Sequence, residues 1–224
     1  DKTDVLIPPF PDFLPTLFLF PNDQRGVPRL SGQHVDIGAV ELQAIRPLVI
    51  NTDDSGPGSL RQAIADGEPM GATITFDASL SGQAIQLGSP LQLTKPCVID
   101  ASTLPGGIQL VGSQRVLQVA AETTVQLHAL TIRKGFDPSH GAGILNEGRL
   151  MLDRCTVTEN GGDVGFGGNL TAAGGGIYNA GHLTLNQCTV ARNAAAAGGG
   201  IRNQPGATLV VDQSTITAND SVSG

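Results

Sequence analysis

The sequence is poor in aromatic and charged residues, although apolar residues make up 40% and can bury a core. It has no Trp, one Tyr, and charged residues at only 15%. So few aromatics beside 30 Gly exclude a helix bundle and suit short strands joined by tight turns. No basic cluster occurs and the formal net charge is −7, which sets aside nucleic acid and an anionic membrane surface as partners. No apolar run approaches the length of a bilayer span, so no membrane span is expected. The opening DKTDVLIPPF lacks a basic leader and is interrupted by Pro. It reads as mature sequence, or as part of something longer, rather than as a signal peptide. The three cysteines, Cys97, Cys155 and Cys188, form no CxxC motif, which argues against a metal or redox centre. His34, His128, His140 and His182 stand singly, without a ligand partner at short spacing. No Ser-His-Asp or phosphate-loop pattern is present, so no catalytic residue, cofactor or metal is expected.

What the sequence does contain is repetition. GAGILNEGRLMLDRCTVTEN (141–160), GGGIYNAGHLTLNQCTVARN (174–193) and GGGIRNQPGATLVVDQSTITAN (198–219) align with one another. Ile144 and Ile177 lie 33 residues apart, Ile177 and Ile201 24 apart. The surplus falls in one connection, between Asn160 and Gly174, as expected of a repeat with a fixed core and a free corner. Within a unit the period is two: Leu183 and Leu185 alternate with His182 and Thr184, two polar residues turn a corner, and Cys188 and Val190 continue on the other side. Such a unit cannot close a core alone, but it can when coiled and stacked at about 4.8 Å per turn, each strand pairing in parallel with its equivalents. The glycine triplets mark the tight corner. Asn146, Asn179 and Asn203 share one position, and Asn160, Asn193 and Asn219 share another. Asn tolerates a left-handed bend, and its amide can bond the amide of the next coil, so two ladders are expected. Cys155 and Cys188 occupy equivalent places. They read as two small buried side chains stacked coil on coil, in preference to a disulfide with its demanding geometry.

Alternation begins earlier, near Ile74, and runs through ATITF, AIQLG, PLQLT, CVIDA, GIQLVG, VLQVA and TVQLHALTI. Before it, Ser59 and Gln62 fit a capping box that opens a short helix over 60–66, with Leu60, Ala63 and Ile64 on one side. That helix would cover the open first turn of a solenoid. The expected fold is therefore all-β: a right-handed parallel β-helix over 47–224 with its cap helix, preceded by an extended Pro- and Phe-rich segment with a closing motif over 1–46. The segment VLIPPFPDFLPTLFLFP (5–21) offers Phe10, Phe13, Leu17, Phe18 and Phe20 as an apolar strip. It either packs along its own solenoid or docks on another subunit, where Pro suits extended packing at an edge.

NTDDSGPGSLRQAI (51–64) resembles the opening segment of large bacterial surface β-helix proteins, a group with a C-S-L-R-E-A-I-type motif. The GGGIYN…LTL…CTV…N coils resemble the polymorphic outer-membrane-protein type of repeat. DQRGVPR (23–29) followed by DIGAVELQ (36–43) resembles the segment that ends such domains. These likenesses imply a β-helix on the cell surface or outside the cell, and they imply no activity. The closing motif precedes the opening one, as in a window on a tandem array, or as in a segment that closes a neighbouring molecule.

NTDD (51–54), TIRKG (131–135) and SHGAG (139–143) resemble motifs of polygalacturonase-like glycosidases, but Arg133 precedes His140 and no second aspartate pair lies between. Asp53 and Asp54 fit an Asx turn better. GGDVGFGGN (161–169) resembles a calcium nonapeptide in a single copy with Asp163 misplaced, and reads as a loop. Outward threonines, Thr156, Thr158, Thr189, Thr215 and Thr217, read as ordinary exposed strand residues. The functional expectation is a non-enzymatic extracellular structural or adhesive module that assembles head to tail into a filament or surface array. Its partners would be copies of itself, neighbouring repeats or a surface glycan. The alternative is a carbohydrate-active β-helix enzyme, a lyase or glycosidase, which would show two or three carboxylates and a basic residue on one solvent-facing coil face.

Overall fold

The computed structural model describes residues 30–31, 34–35, 46–67, 71–161 and 173–223. Two compact units, Asp1–Ala44 and Ile45–Gly224, make up the chain. In the first, Leu30–Ser31 pairs antiparallel with His34–Val35. Phe10, Phe13, Leu17, Phe18 and Phe20 lie outside the described residues.

The second unit is a parallel β-helix. Its first coil comprises Ala72–Phe76, Ala84–Leu87 and Leu91–Leu93, and its second Cys97–Asp100, Ile108–Gly112 and Leu117–Val119. Coil 3 comprises Thr124–His128, Leu130–Arg133 and Ile144–Asn146, and coil 4 Arg149–Asp153, Thr156–Thr158 and Ile177–Asn179. Coil 5 comprises His182–Asn186, Thr189–Ala191 and Ile201–Asn203, and coil 6 begins with Thr208–Asp212 and Thr215–Thr217. First, second and third strands stack into three parallel sheets, the first extended at its start by Leu48–Val49. The aligned repeats are in register: Ile144 pairs with Ile177 and Ile177 with Ile201, so the 33- and 24-residue spacings both measure one turn. A fourth strand, Ala194–Ala197, pairs with Asp220–Ser223 in the connection before the third sheet. Its AAAA sequence carries no alternation by which to expect it.

Alternation builds the core. Ile74, Ile99, Leu127, Leu152 and Leu185 follow one another in register, one per coil, each with no exposed surface. TVQLHALTI is two strands on two sheets, because Ala129 adopts a φ of 54° between them. Equivalent left-handed positions recur at Arg154, Gln187 and Gln213, and at the second corner at Lys134, Glu159, Arg192 and Ala218. The bend is thus carried by the residue before each asparagine of the second ladder, not by the asparagine itself. Its amide is left to bond along the stack.

The cap helix spans Leu60–Asp66, with Leu60 and Ala63 buried in the core that includes Ile74 and Phe76. Ser59 Oγ accepts from Gln62 N–H as the capping motif requires. The reciprocal half is absent: Ser59 N–H goes to Gly56 O, and the Gln62 amide donates to Asp66. Lys95 Nζ satisfies the far end, donating to Ala65 O at 3.1 Å and Gly67 O at 2.9 Å.

Candidate functional site: the coil corners and their ladders

Each ladder asparagine is held by the corner beside it. The first glycine of each triplet adopts positive φ, 67° at Gly174 and 62° at Gly198, which L side chains resist. The third must lack a side chain: a Cβ on Gly176 would lie 2.5 Å from Gly200 O and 3.0 Å from the Asn193 amide. The corner therefore brings backbone and amide into contact across coils.

In the first ladder, Asn146 Nδ2 donates to Asn179 Oδ1 at 2.7 Å, and Asn179 Nδ2 to Asn203 Oδ1 at 2.6 Å. Second amide hydrogens go to His182 O and Thr208 O of the following coils. In the second ladder, Asn160 donates both its backbone N–H and its amide to Asn193 Oδ1, at 3.0 and 2.9 Å. Asn193 does the same to Asn219 Oδ1, both at 3.0 Å. Every ladder bond has one sense: donors face the later coil, oxygens the earlier one. At its start the second ladder is closed by Gly135 N–H, which donates to Asn160 Oδ1. In the first ladder Asn203 Nδ2 donates to Ala207 O, and in the second Asn160, Asn193 and Asn219 each donate an amide hydrogen to the coil before, to Ile132 O, Val157 O and Val190 O.

Burial falls off in the last described coil. Val211 and Ile216 are 43% and 47% exposed, whereas Leu185 and Val190, their equivalents one coil earlier, are wholly buried. Among the described residues, Thr208–Asp212 and Thr215–Thr217 each have a strand neighbour on one side only.

Cys155 and Cys188 are free, buried thiols stacked at one corner. Cys155 Sγ donates to Leu127 O and Cys188 Sγ to Leu152 O, both at 3.3 Å. The contact with Cys188, followed by burial, holds the Cys155 thiol well above its ordinary range. Burial alone pushes the Cys97 thiol up to about 11.

One solvent-facing edge carries a polar column; the repeat alignment could have disclosed its later members Asp153, Asn186 and Asp212, which share one place in the unit, but not Asp100 and His128, which precede the aligned repeats. Asp100, His128, Asp153, Asn186 and Asp212 follow in register on the first sheet. Asp153 Oδ2 meets His128 Nδ1 at 3.3 Å and accepts from Arg154 Nε at 2.9 Å, while Oδ1 accepts from Asn186 Nδ2. Desolvation pushes Asp153 upward, but the hydrogen bonds from Arg154, His128 and Asn186 outweigh it and hold the carboxyl below its usual value. Asp100 is likewise lowered: desolvation is overcome by the hydrogen bonds of Ser102 and the charges of His128 and Arg154.

The glycosidase-like motifs engage separate partners. Asp54 pairs with Arg61 of the cap helix. The Asx turn belongs to Asn51, whose Oδ1 accepts from Asp53 N–H at 3.2 Å, so the turn role expected of Asp53 and Asp54 falls to their neighbour. Arg133 pairs with Glu159 at 2.7 Å, and His140 packs edge-on against Tyr178. Of the outward threonines, Thr158 is buried, and its hydroxyl has no hydrogen-bond partner. Residues 162–169 of the nonapeptide-like loop lie outside the described residues. Among the described residues no group of three His, Cys, Asp or Glu is placed to hold a metal ion, and no helix is long and apolar enough to cross a membrane.

Fold and ladders together define the class: a parallel β-helix whose coils are joined by asparagine ladders. No family model matches the chain, and comparison with curated proteins and with solved structures gives no match either.

Proposed function

We propose that the protein is a non-enzymatic structural or adhesive module of the cell surface or extracellular space, assembling head to tail into a filament or surface array. The observation that carries this reading is the stack itself, coils joined by three parallel sheets and two asparagine ladders whose bonds all run in one sense. A stack with such a direction has unlike ends, and a contact between unlike ends repeats without closing. The apolar strip Phe10, Phe13, Leu17, Phe18 and Phe20 supplies additional surface for the neighbour, and a surface glycan is the other partner class for such an array. A carbohydrate-active enzyme would need a carboxyl group held protonated to act as general acid. Asp100 and Asp153, the carboxylates flanking His128 on one face, are both shifted the other way.

Light scattering and electron microscopy on the full chain and on a chain lacking residues 1–21 test the reading. The expected outcome is concentration-dependent filaments from the full chain, and a folded, β-rich monomer after truncation. A full chain that stays monomeric at high concentration would overturn it. Unchanged assembly after truncation would remove the N-terminal strip from the contact.

A further inference from the structure

The stack sets two buried thiols side by side. Cys155 and Cys188 each follow a left-handed residue, Arg154 and Gln187, both with a φ of 52°, so the two corners have the same shape. Asp153 pairs with Asn186 before them and Thr156 with Thr189 after them, and Thr189 N–H donates to Cys155 O at 2.9 Å. The cysteines are therefore in register on adjacent parallel coils, about 4.8 Å apart at Cα. A disulfide spans Cα separations of about 4.4–6.8 Å, so the register of the coils meets the demand that a bridge makes on the backbone. The two side chains touch. Cys188 Sγ leans to Leu152 O of the coil that holds Cys155, whereas Cys155 Sγ leans away, to Leu127 O. A turn of the Cys155 side chain toward coil 5 closes the gap, and the S–H bonds given up are weak ones.

The pair also sits on the longest turn of the solenoid. Along the first sheet Leu152 and its partner Leu185 are 33 residues apart, and the other turns take 25 to 28. Closing a longer turn costs more chain entropy, and a cross-link between its ends removes that freedom from the unfolded chain. At the same corner Leu130 precedes the pair and Ser214 follows it, so these two coils alone bring sulfur to sulfur there. Cys97 lies in another column, in register with Ala72 and Val125.

We propose that Cys155 and Cys188 form an oxidative cross-linking site, at which a small-molecule disulfide joins their sulfurs and locks coil 4 to coil 5. Cys188 reacts first, because its contact with Cys155 draws its thiol below the ordinary value against the effect of burial. Both sulfurs are buried, so this step takes place while the corner is open. The Cys188 thiolate attacks one sulfur of the reagent, forms a mixed disulfide and expels one thiolate. Cys155 then loses its proton and attacks Cys188 Sγ, forming the Sγ–Sγ bond and expelling the second thiolate. The two protein thiols are oxidised by two electrons, and the reagent is reduced to two thiols that take up the two protons. A dithiol reverses the sequence.

Oxidised glutathione added to the full chain, followed by alkylation in denaturant and mass spectrometry, tests the site independently of assembly. Free thiols should fall from three to one, the intact chain should lose the mass of two hydrogens, and peptide mapping should join Cys155 to Cys188. The melting midpoint should rise by about 5 °C or more and return on adding dithiothreitol. Cys97→Ser should keep that rise, and Cys155→Ser and Cys188→Ser should each abolish it. Three thiols retained, a product that stops at the glutathione adduct, or a bridge to Cys97 or between two chains would overturn the site. A Cys155–Cys188 bridge that leaves the midpoint unmoved would overturn the lock.

Discussion

Asn179 uses every polar atom of its side chain on a neighbour. Its amide donates to Asn203 Oδ1 and Thr208 O, and its oxygen accepts from Asn146 Nδ2 and from Gly181 N–H. Asn179 is wholly buried, so Asn179→Ala orphans several partners at once and should cost about 1–3 kcal/mol in thermal or denaturant unfolding. Asn203, exposed on the fifth coil, holds the same ladder position with fewer partners. Asn203→Ala should cost less than about 1 kcal/mol, half-exposed groups being re-solvated by water. Equal losses for the two would show that the ladder's strength does not depend on burial. Sequence displayed both ladders, because their members recur at fixed offsets. It misplaced the strain of the bend, because Arg192, Glu159 and Gln187 carry no local signature of left-handed backbone. Their φ is imposed by the corner they share with the coils above and below.

At the scale of the element, each corner is specified by what cannot be there. A Cβ on Gly176 would meet Gly200 O and the Asn193 amide, neither of which can retreat without breaking a coil-to-coil bond. Gly176→Ala should therefore destabilise by about 1–3 kcal/mol or more through overpacking. Gly206, in the turn before Thr208–Asp212, has a φ of 84° but nothing within 4 Å of an added Cβ. Gly206→Ala should lose only the backbone preference, about 1–2 kcal/mol at most, and Asn193-dependent packing should be untouched. Paired melts of the two variants measure the difference, and a smaller loss at Gly176 would remove close coil approach as the reason for the triplet. The cap helix shows the same logic at the start of the solenoid. Its N-terminal signal was legible in Ser59, whereas the Lys95 clamp on its last carbonyls joins residues about thirty positions apart and is visible only once the first coil closes.

Over the whole molecule, stacking turns repeated residues into columns, and the Asp100–His128–Asp153 column ties stability to pH. Both carboxyls lie below their ordinary value of 3.8 in the fold. A lowered folded value means their contribution is complete above the unfolded value and is lost as pH falls through the folded one. Unfolding midpoints should therefore hold steady from neutrality to about pH 5 and decline below about pH 4. In Asp153→Asn the neutral midpoint should drop and the acid limb should flatten. An acid limb as steep as that of wild type would place the pH dependence elsewhere. The same stacking closes the start of the bore, where Leu60 and Ala63 pack into the core.

The period, the alternation, the ladder positions and the cap helix were all legible in the chain before it folded. Each of these is a local pattern, or one repeated at a constant offset, and burial of one strand face admits only one register. The tertiary structure alone decided which residues share a coil edge, as Asp100, His128 and Asp153 do across connections of unequal length. It also decided which residues absorb the left-handed bends and the one-way sense of the amide ladder. These depend on the next turn of the solenoid, which lies about 4.8 Å away in space yet 24 to 33 residues away along the chain.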